Sequence, residues 1–174
     1  MLTPWAQHIV SARELGLSEP EETGHTFTDN ALIKAHAAAR SGHVALADDS
    51  GLCVTALNDN PGIYSARWAG PSKDFVPAMK RIRDELGMAT DRSAHFISVL
   101  ALAWPDYHTE IFEGRIDGTI AWPPRGNKGH GYDPIFVPQG HTHSFAEMSD
   151  SEKNAISHRG IAVRKLIAFL KNKD

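Results

Sequence analysis

Only one cysteine stands in the chain, at position 53. A disulfide within the chain needs two thiols and a structural zinc site usually needs several, so both are excluded, and a reducing compartment suits what remains. Cys53 itself reads as a small core residue. No apolar stretch approaches the ~18 residues a membrane helix requires. The opening Met1-Leu2-Thr3-Pro4-Trp5 lacks the basic and apolar blocks of a signal peptide. A soluble, cytoplasmic protein with no membrane partner is expected. There is also no run of Lys or Arg, and the formal net charge is -3. Such a surface does not neutralise the many phosphates of a nucleic-acid polymer, whereas a small anion needs only a few local cations.

What is present is an ordinary globular composition. Hydrophobic residues make up 41% and charged residues 22% of 174, which fits one domain over 1–174 that buries roughly 70% of the surface of its unfolded form. The glycines and prolines gather in loops and form no low-complexity tract.

Periodicity places the elements. Thr26 and Asp29 stand three apart in a capping-box-like start, ahead of an Ala-rich run from Asn30 to Arg40 that Ser41-Gly42 stops. Phe27, Ala31, Ala35 and Ala38 recur at helical spacing for a buried face, while Asn30 and Lys34 mark a polar stripe. Val44 to Ala47 is a short apolar run that meets Asp48-Asp49-Ser50-Gly51, read as a turn, before Leu52-Cys53-Val54 resumes it. Pro61-Gly62 marks another turn. Phe75, Met79, Ile82 and Leu86 define a second amphipathic helix closed by Gly87, with Pro77 admissible only in its first turn. His95 to Trp104 is apolar on both faces and Thr109 to Ala121 is a second extended run, which together predict a hairpin whose first strand is central in a sheet. Pro123 to Gly131 reads as a loop, Tyr132 to Val137 as a strand, and Ile161 to Leu170 as a last helix. The sum is an α/β domain with a mixed sheet flanked by helices.

Hydrolysis of a phosphate anhydride needs a hard cation held by carboxylates, cationic donors for phosphate oxygens, and a positioned water. Four segments could supply these parts. Glu21-Glu22 precede a helix N-terminus, although most acidic pairs are solvated surface pairs. Asp48-Asp49 follow an apolar strand, where α/β sites collect, and an Asx-type turn is as good an explanation. Lys34, Lys153 and His158-Arg159 are candidate phosphate or base-carbonyl donors, each singly more often a surface cation. Gly129-His130-Gly131-Tyr132-Asp133-Pro134 joins flexible backbone to rings that can stack on a base, or simply turns into a strand. His141 and His143 find no third ligand at metal spacing and read as loop residues.

In order along the chain, Glu21-Glu22-Thr23-Gly24-His25-Thr26-Phe27, Asn30-Ala31, Lys34-Ala35, Ala47-Asp48-Asp49-Ser50-Gly51-Leu52, Pro61-Gly62-Ile63-Tyr64-Ser65-Ala66-Arg67, Phe112-Glu113-Gly114, Gly131-Tyr132-Asp133-Pro134-Ile135-Phe136, Phe145-Ala146-Glu147-Met148 and Glu152 to Gly160 resemble the inosine triphosphate pyrophosphatase family. That family is also called the Ham1 or dITP/XTP pyrophosphatases. The resemblance implies an elongated mixed sheet, a homodimer, and magnesium-dependent hydrolysis of purine nucleoside triphosphates such as ITP, dITP and XTP to monophosphate and pyrophosphate, which cleanses the nucleotide pool. It further implies that Glu21 and Asp49 hold Mg2+, with Asp49 the base for the attacking water, and that Lys34 meets the phosphates. Ser50, His130, Gly131, Tyr132, Asp133, Lys153, His158 and Arg159 then contact the nucleotide, the last two near the purine 6-oxo group.

Two departures are visible. Family members usually open with a strand and a Ser/Thr-x-Asn-x-x-Lys phosphate loop. Nothing before Glu21 matches that loop, and Met1 to Leu17 resembles the family's segment just after it, so the fold is expected without its first strand and that lysine. His130 stands where Phe is common. Two other readings stay open on the sequence: a nucleotide-binding or oligomerising protein with little turnover, and a Maf-type pyrophosphatase of other nucleotides.

Overall fold

The computed structural model describes residues 5, 6 and 8–172; residues 1–4 and 7 of the segment Met1 to Leu17 lie outside it. Helix α1 (Phe27–Ala39) starts on the expected capping box, in which the Thr26 hydroxyl accepts from the Asp29 N–H and the Asp29 carboxylate accepts from the Thr26 N–H. These bonds satisfy backbone donors that the first helical turn would otherwise leave open. Ala31, Ala35 and Ala39 form its buried face, and Asn30, expected on the polar stripe, is buried with them.

Strand β1 (Ala45–Val54) corrects the turn expected at Asp48-Asp49-Ser50-Gly51: all four residues lie within one continuous ten-residue strand. Their turn propensity is a local preference, and here the strand pairing and the anchoring of Asp49 override it. Strand β2 (Asn60–Pro61) pairs antiparallel with the end of β1, Cys53 opposite Pro61. A short helix α2 (Ser65–Trp68) follows, then α3 (Phe75–Leu86), capped by the Asp74 carboxylate at its start, with Pro77 in its first turn, and closed by Gly87 at φ 45°. Strands β3 (Ser93–Ala103) and β4 (Thr109–Ile120) form the expected hairpin. The sheet order β2-β1-β3-β4-β5 makes β3 central, which explains why it is apolar on both faces. Strand β5 (Phe136–Pro138) is shorter than the run predicted from Tyr132, because Asp133–Ile135 is a 3₁₀ turn. Pro134 lacks an N–H for the ladder and suits that turn. Helices α4 (Asp150–Ile156) and α5 (His158–Lys171) complete the α/β fold.

Two compact units can be distinguished: Met1–Asp49, Val99–Glu113 and Ala162–Asp174 in one, Ser50–Ser98 and Gly114–Ile161 in the other. The first has a core around Leu100, Leu102, Phe112, Ala162 and Leu166. The second has a larger one that includes Leu52, Val54, Ile82, Phe96, Tyr132, Phe136 and Phe145. Cys53 is buried, as expected, and burial pushes its thiol up to about 12, so it is inert at neutral pH. Among the described residues no helix is long and apolar enough to cross a membrane.

Candidate functional site

The first unit holds a cluster of two carboxylates and one ammonium. Lys34, one helical turn past Asn30 on α1, donates to Asp49 Oδ1 at 2.8 Å and to Glu22 Oε1 at 2.9 Å. Asp49 is only 8% exposed, and its second oxygen, Oδ2, is buried with no hydrogen-bond partner. Asn30 lies close by, its Oδ1 accepting from the Gly24 N–H at 2.9 Å, which ties the segment carrying Glu22 to the helix. Its own buried Nδ2 has no bond of good geometry, though the amide slightly steadies the charge on Asp49.

Burial and ion pairing compete in this cluster. Desolvation is the largest influence on Asp49 and raises its carboxyl above the usual range; the bond from Lys34 only partly offsets it. Desolvation alone would depress Lys34, but the bonds to Asp49 and then Glu22 outweigh it and hold the ammonium above its usual value. A half-buried cation thus sits on a carboxylate that still has one oxygen unsatisfied. The Asn30 amide compensates that buried oxygen only weakly, and a hard cation would satisfy it better. The residues present therefore fit a magnesium ion. Among the described residues no group of three His, Cys, Asp or Glu side chains could hold a metal alone. Magnesium commonly takes one or two carboxylates and completes its shell with waters and phosphate oxygens.

Glu22, not its neighbour Glu21, makes the ion pair; Glu21 is exposed. The family resemblance implies Glu21 as the metal carboxylate, and no local pattern distinguishes it from Glu22.

The second unit holds the other predicted residues. Asp133, 2% exposed, accepts from the Lys153 ammonium and, at 2.6 Å, from the His130 N–H. Gly129, at φ 74°, precedes that bond, and a Cβ there would collide with the Asp133 carboxylate, so glycine is required. Lys153 also lies over the Phe145 ring, 5.4 Å from its centroid. Tyr132 is buried, its ring edge-on to Phe75 at 5.1 Å and its hydroxyl donating to the Ser65 carbonyl at 2.9 Å. Burial pushes that hydroxyl's pKa up. The exposed ring of this segment is therefore His130, and Tyr132 and Asp133 pin it from beneath. His158 is buried and stacks flat on Phe96, centroids 4.7 Å apart and planes 10° from parallel, while Arg159 beside it is exposed. Ser50 is half-buried in β1, directly after Asp49. His141 and His143 are loop residues as expected, both on the rim of a hollow of about 250 Å³ with Glu147 and Glu152.

Two contributors escaped sequence reasoning. Ser65 accepts from the Leu52 N–H at 2.9 Å and donates to the Gly62 carbonyl at 2.6 Å, besides receiving Tyr132 on its carbonyl. Its sequence signal was its place in the Pro61-Gly62-Ile63-Tyr64-Ser65-Ala66-Arg67 motif, which assigns it no role. Phe96 and its stacking on His158 join residues 62 apart, which no local pattern reveals.

The family model described as the Ham1 family matches residues 1–169. The dITP/XTP pyrophosphatase of Gluconobacter oxydans is 60% identical over 163 residues, which span 93% of this chain and 77% of that protein. That of Rhodospirillum centenum is 57% identical over 172 residues, 97% of this chain and 85% of the relative. Among solved structures, the Staphylococcus aureus Ham1 protein superposes with a TM-score of 0.89 at 41% identity, covering 94% of this chain and 85% of its own. A HAM1 protein from Coxiella burnetii gives 0.88 at 43% identity, with 92% and 84% covered.

Proposed function

Because this chain belongs to the Ham1 family, we propose that it is a nucleoside triphosphate pyrophosphohydrolase that splits dITP, XTP and ITP between the α- and β-phosphates, giving the monophosphate and pyrophosphate. The observation that carries this reading is the Lys34–Asp49–Glu22 cluster, in which the buried Asp49 Oδ2 has no hydrogen bond of good geometry. Names of relatives at up to 60% identity support the substrate class.

In this reading Asp49 would hold magnesium together with Glu22, which shares Lys34 with it, in place of the Glu21 that the family resemblance implies. The ion, when bound, supplies Lewis-acid neutralisation of phosphate charge. Asp49 takes the proton of the attacking water. Lys34 donates to phosphate oxygens. In the second unit, His130 offers its ring to the base and Lys153 contacts the nucleotide, while His158 and Arg159 supply donors toward a 6-oxo group. Donors there satisfy hypoxanthine and xanthine but face the 6-amino group of adenine with another donor. Buried polar groups left unpaired in this way discriminate by about 10⁴ or more. Work in the cytoplasm, as a homodimer, belongs to the same proposal.

Pyrophosphate release measured with ITP, dITP, XTP, ATP, dTTP and UTP in the presence of Mg2+ tests it. The 6-oxopurines are expected to be turned over far faster than ATP, and Asp49→Asn to lose at least about a hundredfold. Binding without pyrophosphate release, preference for pyrimidines, or equal rates in Asp49→Asn would each refute a stated part.

A further inference from the structure

We propose that Lys34 is an internal counter-cation that keeps a free divalent ion off Asp49 and Glu22, so that metal enters together with the polyphosphate instead of ahead of it. The proposal rests on the reading of Asp49 as a metal-holding carboxylate, and it concerns the order in which charges occupy that site.

The ammonium is bonded to Asp49 Oδ1 and Glu22 Oε1, at 2.8 and 2.9 Å, with only 18% of the Lys34 side chain exposed. Two of its three N–H donors are thereby spent on the carboxylates. A divalent ion on Asp49 would lie a few ångströms from this ammonium. At that separation, and in a site of reduced dielectric, like charges repel far more strongly than in water. Asp49 Oδ2, in a side chain nine-tenths buried and without a hydrogen bond of good geometry, is the oxygen a metal would take, yet the charge of its carboxylate is already engaged through Oδ1.

A triphosphate changes the balance. It brings several oxygens of greater total charge, each an acceptor for a lysine donor. When Lys34 transfers to a phosphate, Asp49 Oδ1 and Glu22 Oε1 are released together. Two carboxylates and the incoming phosphate oxygens then suit the shell magnesium prefers. Lys34 acts here as a positioning residue for the metal as well as a phosphate donor.

The test is titration of Mn2+ alone, without nucleotide, into the full metal-free chain at neutral pH, with free Mn2+ followed by electron paramagnetic resonance. Lys34→Met is expected to bind Mn2+ at least about tenfold more tightly than the unmodified chain, because the competing cation is gone. Lys34→Gln, which keeps hydrogen-bonding ability without charge, carries the same expectation and stands in if Lys34→Met does not fold. Adding Asp49→Asn to either variant should abolish the gain. Equal or weaker Mn2+ binding in a folded Lys34 variant, or a gain that survives Asp49→Asn, overturns the proposal. No turnover enters this measurement. If the unmodified chain releases no pyrophosphate with Mg2+, the functional reading fails by itself; if it does and the Mn2+ result is negative, only the exclusion by Lys34 fails.

Discussion

The Tyr132 hydroxyl reaches the backbone carbonyl of Ser65 at 2.9 Å, joining the His130–Asp133 segment to a serine 67 positions earlier whose own hydroxyl holds the Leu52 N–H. Tyr132 is 2% exposed, so its phenol works as a buried peg. Its ring is not presented to a base in this conformation.

Removing that peg separates position from chemistry. Tyr132→Phe keeps the ring against Phe75 and loses one buried hydrogen bond, worth about 1 kcal/mol of stability. Because the segment it steadies carries His130, KM for dITP should rise several-fold while kcat falls by less than about twofold. Steady-state kinetics with a urea unfolding curve decide it. An unchanged KM beside a lowered midpoint would make the bond purely structural.

The capping box of α1 predicts a pH dependence. Asp29 is held below the usual carboxylate range, first by the Thr26 hydroxyl and then by the N–H groups of His25 and Thr26. A carboxyl depressed on folding contributes stability that is present above its unfolded value and lost as pH falls through its folded value. Asp29→Asn should therefore unfold at lower urea than the unmodified chain at neutral pH, and the two curves should converge in acid below the ordinary carboxylate range. A gap that persists unchanged into acid would show that the charge of Asp29 is not what stabilises this helix start.

Much of the fold was legible because its signals are local. Thr26 with Asp29, the Phe75–Leu86 stripe ended by Gly87, and the doubly apolar β3 each carry their physics within a dozen residues. The candidate site was legible only in part. Asp48 to Gly51 have turn chemistry, and what keeps them in a strand is pairing with distant residues. Glu21 and Glu22 are indistinguishable until Gly24 is tied to Asn30 and one of them is turned toward Lys34. Tyr132 looked like a stacking ring, since an aromatic beside glycines carries no mark of burial. The pairing of Asp133 with Lys153 spans 20 residues and an intervening loop, beyond the reach of any periodicity.

That last pair yields an asymmetric prediction. Asp133 is almost wholly buried, whereas the Lys153 side chain keeps 18% of its surface exposed. Lys153→Met would leave a buried carboxylate with only the His130 N–H to hold it, and breaking a buried pair in this direction costs about 3 kcal/mol. Asp133→Asn strands a lysine that can still reach water, and the new amide oxygen can still accept from His130, so the cost should be nearer that of one net hydrogen bond, about 1 kcal/mol. The double variant should then be more stable than Lys153→Met alone, because the orphaned charge is gone. Urea unfolding of all four proteins measures this directly. A double variant at least as unstable as the sum of the single ones would mean that Lys153 contributes through its packing over Phe145, not by neutralising Asp133.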